Sequence, residues 1–242
     1  MNINFIFLIL ALLAEIIGTI GGFGSSVFFV PIGNFYFDFH SVLGLTALFH
    51  LSSNLSKIAQ FRKGIDRNLI LFIGIPSVLF VLLGSFLSKY VDNTHLEILL
   101  GIFLIIFSGL FLLKRTLRIQ PNRKNSILGG IFSGFSAGIL GTGGAIRGLT
   151  MAAYNLEKSV FIATSAIIDL MIDITRSVSY YQNGYIHMHD MVYIPFLFLI
   201  GWIGTYIGKR ILTKISQEKF RVFSLSLILL IGLVTVGKLI WF

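Results

Sequence analysis

Apolar runs long enough to cross a lipid bilayer follow one another along almost the whole chain. A helix needs about 20 mostly apolar residues to span a hydrocarbon core of about 30 Å. Such runs occur at 4–37, 41–61, 68–88, 96–113, 126–156, 158–181, 191–208 and 220–240. Because backbone polar groups in lipid must be satisfied within the segment, helices are the expected elements. The pattern predicts an all-α polytopic membrane protein.

The content and placement of charge agree with that fold class. Charged residues make up 12% of the 242 residues, whereas soluble domains carry about 25%. The net charge of +9 does not indicate nucleic acid as a partner, because the Lys and Arg residues lie in short connectors and form no basic stripe among aromatics. The expected partners are the bilayer and a small solute, and a homo-oligomer stays open. The expected location is a bacterial inner (cytoplasmic) membrane.

The chain has no cysteine, which excludes disulfides, thiolate metal sites and cysteine nucleophiles together. We expect no cofactor and no metal site.

The first and fifth apolar runs are too long for one span, and glycines interrupt both in the middle. The interruptions are Gly18–Gly24 and Gly138–Gly144, which lie 120 residues apart. The same offset relates three further pairs, namely Gly64 with Gly184, Gly84 with Gly204 and Lys89 with Lys209. This ordered series indicates a duplicated unit. We expect a first membrane repeat at 1–120 and a second at 121–242, within one integral membrane domain.

The basic residues favour an inverted second repeat. If every run crosses the membrane, the connector 182–190, which has no Lys or Arg, becomes cytoplasmic, against the positive-inside rule. If each glycine-broken run is instead a re-entrant hairpin, the cytoplasmic connectors are 62–67, 114–124 and 209–219, with three, five and four basic residues. Each repeat then has one hairpin and three transmembrane helices, and this odd number of spans inverts the second repeat.

Inverted repeats would bring the two hairpin tips together near the middle of the membrane. A helix that begins at such a break points its free N–H groups and positive dipole end at the site, which suits a small anion. The predicted substrate-binding residues are Gly22, Gly24, Ser25, Ser26, Thr142, Gly143, Gly144, Arg147, Asn54 and Ser165. Two alternatives stay open. For the glycines, the alternative is that they serve only close helix packing. For Arg147, the alternative is that its side chain snorkels to the membrane surface or pairs with Glu157.

A row of polar residues on the sixth run is the second candidate site. Its members share one helix face, and the second run carries a polar row at the same spacing. The rows are Ser165, Asp169, Asp173 and Arg176, and Thr46, His50, Asn54 and Lys57. Ionisable groups within a membrane mark functional pathways, so Asp169, Asp173 and His50 are candidate proton carriers. The alternative is a structural pair of Asp173 with Arg176. Glu15 is left open between a proton site and a neutral buried carboxyl.

In these residues the chain resembles the TauE/SafE family, the sulfite-exporter-type membrane permeases. The resemblance rests on the paired glycine-rich breaks and on the runs Leu45–Leu48 and Ala163–Ala166 that follow them, and it covers nearly the whole chain. It implies transport of sulfite or a related small anion such as an organosulfonate. Met151 stands where the family usually has proline, and Arg147 where a small or apolar residue is common.

The sequence therefore predicts a transporter and not an enzyme. We expect an exporter that works by alternating access at a midplane site, with protons as a candidate coupling ion. An anion channel is one alternative. The other is an intramembrane serine hydrolase that uses Ser25 or Ser26 with His50, which would need hydrogen-bond contact and an oxyanion hole.

Overall fold

The computed structural model describes residues 3–61, 64–91, 93–114 and 120–241, and all regular elements within these ranges are helices. The helices are α1 (Phe5–Gly21), α2 (Ser26–Gly33), α3 (Phe39–Gln60), α4 (Arg67–Leu87), α5 (Asn93–Leu113), α6 (Arg123–Leu140), α7 (Gly144–Ala153), α8 (Lys158–Gln182), α9 (Asp190–Leu212) and α10 (Gln217–Trp241). Helix α4 contains a π-helical stretch at Ile70–Gly74, and α9 opens with a 3-10 turn. Four basic connector residues lie outside the described residues, namely Arg62, Lys63, Arg115 and Arg118.

The helices follow the apolar runs, so the all-helical prediction is confirmed. Each unbroken run forms one helix, and each glycine-broken run forms two. Within the described ranges, three helices are both long and apolar enough to cross a membrane, namely Arg67–Leu87, Asp190–Leu212 and Gln217–Gly237. Helices α3 and α8 have sufficient length, but each buries the polar row that the sequence places on one face.

A left-handed glycine ends the first helix of each broken run. Gly22 has φ 83° and donates its N–H to the Gly18 carbonyl at 3.0 Å. Gly141 has φ 71° and donates to the Ala137 carbonyl at 3.1 Å. A side chain is strained at these dihedrals, so glycine is the residue that allows this type of helix end. The two helices therefore stop within one residue of equivalent points in the two halves of the sequence.

Beyond each glycine the chain turns back along the helix that it has just left. The Phe7 ring, near the start of α1, lies 5.5 Å from the Phe29 ring of α2 and 5.1 Å from that of Phe37. In the second half, the Ser126 hydroxyl of α6 lies 3.1 Å from the Tyr154 hydroxyl beyond α7. Both broken runs therefore fold into helical hairpins whose outer ends lie side by side.

Corresponding helices of the two halves pack antiparallel. Along α3 and its following connector, Gly44 lies against Tyr185, Asn54 bonds Asp173 and the Asp66 N–H bonds Thr164. Residue numbers therefore rise on one side of the interface and fall on the other. Helices α5 and α10 show the same order, because Gly101 lies against Val236 and Ile105 against Gly232.

Each hairpin also packs against a helix of the other half, and glycines permit the close approach. Gly130, Gly134 and Gly138 of α6 face the backbone of α4, where a Cβ at Gly134 would lie 2.5 Å from the Ser77 Cα. Gly204 and Gly208 of α9 face α1, where their closest neighbours are the side chains of Glu15 and Thr19. Helix packing is thus one role of the glycines, as small residues commonly allow in membrane proteins.

Candidate functional site

The two hairpin tips meet inside the protein. Phe23, in the first tip, is buried and packs on the first turns of α7. A Cβ added at Gly148 would lie 2.6 Å from the Phe23 Cβ. Its carbonyl lies against Gly144 at the start of α7. The next residue, Gly24, faces the Asp169 carboxylate and the His50 ring. The first tip therefore reaches the second hairpin and both polar rows at once.

Arg147 of α7 is fully buried and points at the polar row of α8. Its Nη2 forms an ion pair with Asp169, and its Nε donates to Ser165 at 2.9 Å. The alternative pairing with Glu157 is wrong, because Glu157 accepts a hydrogen bond from Ser159 at the surface. The alternative of snorkelling is also wrong, because no part of the Arg147 side chain is exposed.

A second buried ion pair joins the first hairpin to α3. The Lys57 Nζ lies 2.8 Å from the Glu15 Oε1, which also accepts hydrogen bonds from Thr19, Ser53 and Thr205 at 3.0, 2.8 and 3.0 Å. A hydroxyl from the first tip, that of Ser25, donates to the other oxygen. The sequence left Glu15 unassigned, since no spacing along the chain links it to a residue 42 positions away.

Ser25 connects that carboxylate to His50. Its Oγ lies 2.9 Å from the His50 Nε2. A hydroxyl has one proton to donate, and the carboxylate that is paired with Lys57 offers acceptors only. The Ser25 proton therefore goes to Glu15, and the His50 Nε2 is the donor toward Ser25.

Asp173, in the polar row of α8, links that row to the polar row of α3. Arg176 Nη2 lies 2.7 Å from its Oδ1, and Asn54 Nδ2 donates to its Oδ2 at 2.6 Å. The His50 Nδ1 lies 3.9 Å from the same Oδ2, beyond hydrogen-bond distance. Arg176 also donates from Nη1 to the Gly141 carbonyl at 2.6 Å, so the pair that the sequence suggested is present and is anchored to the second tip.

Three buried polar atoms around the second tip have no hydrogen-bond partner among the described residues. They are Arg147 Nη1, Arg176 Nε and Thr142 Oγ1. Leaving such a group unsatisfied costs about 1–3 kcal/mol, and more for charged groups. Two guanidinium donors and a hydroxyl are suited to the acceptor-only oxygens of an anion.

The remaining predicted binding residues shape the tips. Gly22 lies against the Phe161 and Phe220 rings, Ser26 begins α2, and the Gly143 carbonyl accepts a hydrogen bond from Ser133. An apolar cavity of about 70 Å³ borders Thr142 between α2 and α10, with Val27, Val30, Leu140 and Ile231 among its lining residues. Sequence reasoning missed this cavity because its wall comes from four separate segments.

Comparison with known proteins gives one family and two relatives. The family model described as sulfite exporter TauE/SafE matches residues 7–235. A probable membrane transporter protein of Methanocaldococcus jannaschii is 29% identical, over 93% of this chain and 92% of its own length. A probable membrane transporter protein of Bacillus subtilis is 25% identical, over 86% of this chain and 90% of its own length. No solved structure gives a significant match.

Proposed function

Because the chain belongs to the sulfite exporter TauE/SafE family, a family of membrane transporters, we propose that it carries a small sulfur-containing anion out of the cell. The observation that supports an anion is a set of three buried polar atoms at the second tip, Arg147 Nη1, Arg176 Nε and Thr142 Oγ1, which lack hydrogen-bond partners among the described residues. The proposed location is a bacterial cytoplasmic membrane, with the basic connectors inside as the positive-inside rule requires.

The cavity beside Thr142 supports an organosulfonate as the substrate within that class. The sulfonate oxygens accept hydrogen bonds from Arg147 and Thr142. A short alkyl chain then extends into the mostly apolar cavity of about 70 Å³ that borders Thr142. Each buried CH₂ contributes about 0.8 kcal/mol, so one or two methylenes would strengthen binding relative to sulfite.

Transport proceeds by alternating access between two inverted repeats. The antiparallel packing of α3 on α8 and of α5 on α10 supports the inversion, since equivalent helices of inverted repeats run in opposite directions. The contact of Phe23 with Gly144 and Gly148 lies where the repeats meet. Rocking of one repeat against the other opens the site first to one side of the membrane and then to the other.

Proton binding is coupled to anion binding at Asp169. The carboxylate of Asp169 occupies Nη2 of Arg147, so it competes with an anion for the same guanidinium. Protonation removes the charge from Asp169 and releases Arg147 to the anion. Because linkage is reciprocal, a bound anion in turn favours protonation. Asp173 and His50 extend the path from Asp169 toward the first tip.

Direct binding of a panel of ligands to the purified chain tests the anion class. The panel contains sulfite, short alkylsulfonates and matched carboxylates, and binding is measured calorimetrically. We expect sulfonate binding that Arg147→Gln weakens by roughly 10- to 150-fold, because a hydrogen bond to a charged group contributes about 1.5–3 kcal/mol. Arg210→Gln removes an exposed arginine of α9 and serves as the control. Equal affinity of the wild type and Arg147→Gln would refute the site.

A channel and a carrier differ in the flux that they support. The proposal expects saturable exchange of the anion in liposomes, at carrier rates and with dependence on pH. Passive conductance without saturation would indicate that the protein is a channel and not a carrier.

The serine hydrolase is disfavoured by the proton arrangement around Ser25. The contact between Ser25 and His50 exists, at 2.9 Å, but His50 Nε2 is the donor in it and does not remove the serine proton. In a hydrolase the histidine acts as the base toward the nucleophile. Hydrolysis of a peptide or ester substrate that Ser25→Ala abolishes would restore that alternative.

A further inference from the structure

The connector between α8 and α9 carries a cluster of side chains that the transport site does not use. His187, His189 and Asp190 each place a potential metal-ligand atom within 4.8 Å of the other two. The connector lies at the N-terminal end of α3, since the His187 Nδ1 is 2.8 Å from the Ser41 Oγ. His50 and Asn54 of the transport site lie two to four helical turns further along α3.

The separations within the cluster suit a single small cation. His189 Nε2 lies 3.1 Å from Asp190 Oδ1, and His187 Nδ1 lies 3.6 Å from Asp190 Oδ2. Ligand atoms that share one tetrahedral zinc ion at about 2.1 Å are themselves about 3.4 Å apart. The two imidazole rings are stacked, with centroids 5.3 Å apart and an interplanar angle of 11°. Small side-chain shifts would complete the geometry.

The Asp190 carboxylate is the observation that points to a ligand. The residue is 2% exposed, and neither of its oxygens has a hydrogen-bond partner among the described residues. The connector 182–190 contains no Lys or Arg to compensate its charge. The nitrogens near it belong to His187 and His189, and a cation bound by all three side chains would relieve the cost of burying the carboxylate.

The histidines identify the class of cation. Imidazole nitrogen with carboxylate oxygen is a donor set that binds zinc and similar first-row divalent ions, whereas magnesium and calcium prefer oxygen alone. The side chains of His187 and His189 are 40% and 61% exposed, so an ion reaches them from water. The sequence prediction of no metal site considered thiolates and overlooked this short His-Met-His-Asp run.

We propose that His187, His189 and Asp190 bind one divalent transition-metal ion of the zinc class, with water as a further ligand. Coordination through the Nδ1 of His187 replaces the hydrogen bond to Ser41 with a bond to the ion. The ion thereby fixes the conformation of the connector beside the start of α3. This site is separate from the proposed anion site and does not depend on it.

Zinc titration of the full-length purified chain, stripped of metal beforehand, tests the proposal. We expect one zinc per chain, with an affinity that Asp190→Asn and the double variant His187→Ala/His189→Ala each lower at least tenfold. Co²⁺ in place of zinc should give visible absorption bands that Asp190→Asn removes. His95→Ala removes an exposed histidine from α5 and should leave the stoichiometry unchanged.

The outcome that overturns the proposal is equal zinc uptake by the wild type and both variants, or none by the wild type. Size-exclusion profiles that match the wild type show that the variants are folded. Sulfonate binding by Asp190→Asn should equal that of the wild type, so failure of the anion proposal and failure of the metal proposal give different results.

Discussion

Each hairpin is joined by one buried ion pair to the helix that follows it, and the two pairs have opposite polarity. In the first half the acid, Glu15, lies on the hairpin and its partner Lys57 on α3. In the second half the base, Arg147, lies on the hairpin and its partner Asp169 on α8. Buried ion pairs contribute little net stability, but removing one partner costs about 3–5 kcal/mol. At this scale the two halves are therefore chemically distinct, and the proposed anion donors belong to the second.

The aspartates of α8 provide a test of proton coupling. In liposomes with an imposed pH gradient, we expect Asp169→Asn and Asp173→Asn to abolish the pH-driven component of sulfonate flux, because neither amide titrates. Flux without a gradient should persist in part. Glu218→Gln, at an exposed acid of α10, should behave as the wild type. Unchanged pH dependence in both aspartate variants would contradict the coupling.

At the scale of the element, glycine decides both where the hairpins turn and how closely they pack. Gly22 and Gly141 end α1 and α6 through positive φ, whereas Gly134 and Gly138 allow α6 to lie against the backbone of α4. The two roles cannot be separated in the sequence, where all these residues form one glycine-rich pattern. Only the packing partners assign each glycine to a turn or to an interface.

Substitution of one packing glycine should destabilise the fold. In Gly134→Ala the new methyl group meets the Ser77 backbone, which cannot move aside as a side chain would. Overpacking of this kind costs about 1–3 kcal/mol, so we expect a lower Tm in detergent. Gly109→Ala on α5 is the control, because a Cβ there meets no described atom within 4 Å. Equal Tm values for the two variants would contradict the close α4–α6 contact.

At the scale of the whole molecule, helix packing is reciprocal between the halves. Helix α6 packs along α4 as α1 packs along α9, and the third helices α5 and α10 pack against each other. Because the hairpin of each half packs against a helix of the other half, neither half forms its interior alone. The proposed movement of one half against the other would therefore act directly on the tips, where Phe23 meets α7.

The inverted topology makes opposite predictions for two connectors. Because the chain lacks cysteine, a single introduced cysteine reports its own location. We expect Met188→Cys, at a side chain 86% exposed, to react with an impermeant maleimide in intact cells. Lys214→Cys should react only after permeabilisation. The reverse pattern, with Lys214→Cys labelled from outside and Met188→Cys labelled only after permeabilisation, would refute the inversion.

The sequence by itself determined the helical segments and singled out ionisable residues that the structure brings together. Apolar periodicity and length are local properties, and so is the left-handed glycine that ends a helix, which is why the predicted runs and breaks match the helices. Arg147, Asp169, Asp173 and His50 were recognisable because ionisable residues are rare in apolar segments.

Only the tertiary structure decided which charges pair and which donors remain. Arg147 faces Asp169 and not Glu157, and Glu15 meets Lys57 across 42 residues of chain. Ser25 is held by Glu15 and His50, whereas Arg147 Nη1, Thr142 Oγ1 and Arg176 Nε, all near the second tip, have no hydrogen-bond partner among the described residues. The physical reason is that an ion pair depends on distances of a few ångström between helices, and these distances follow from packing that no spacing along one helix encodes.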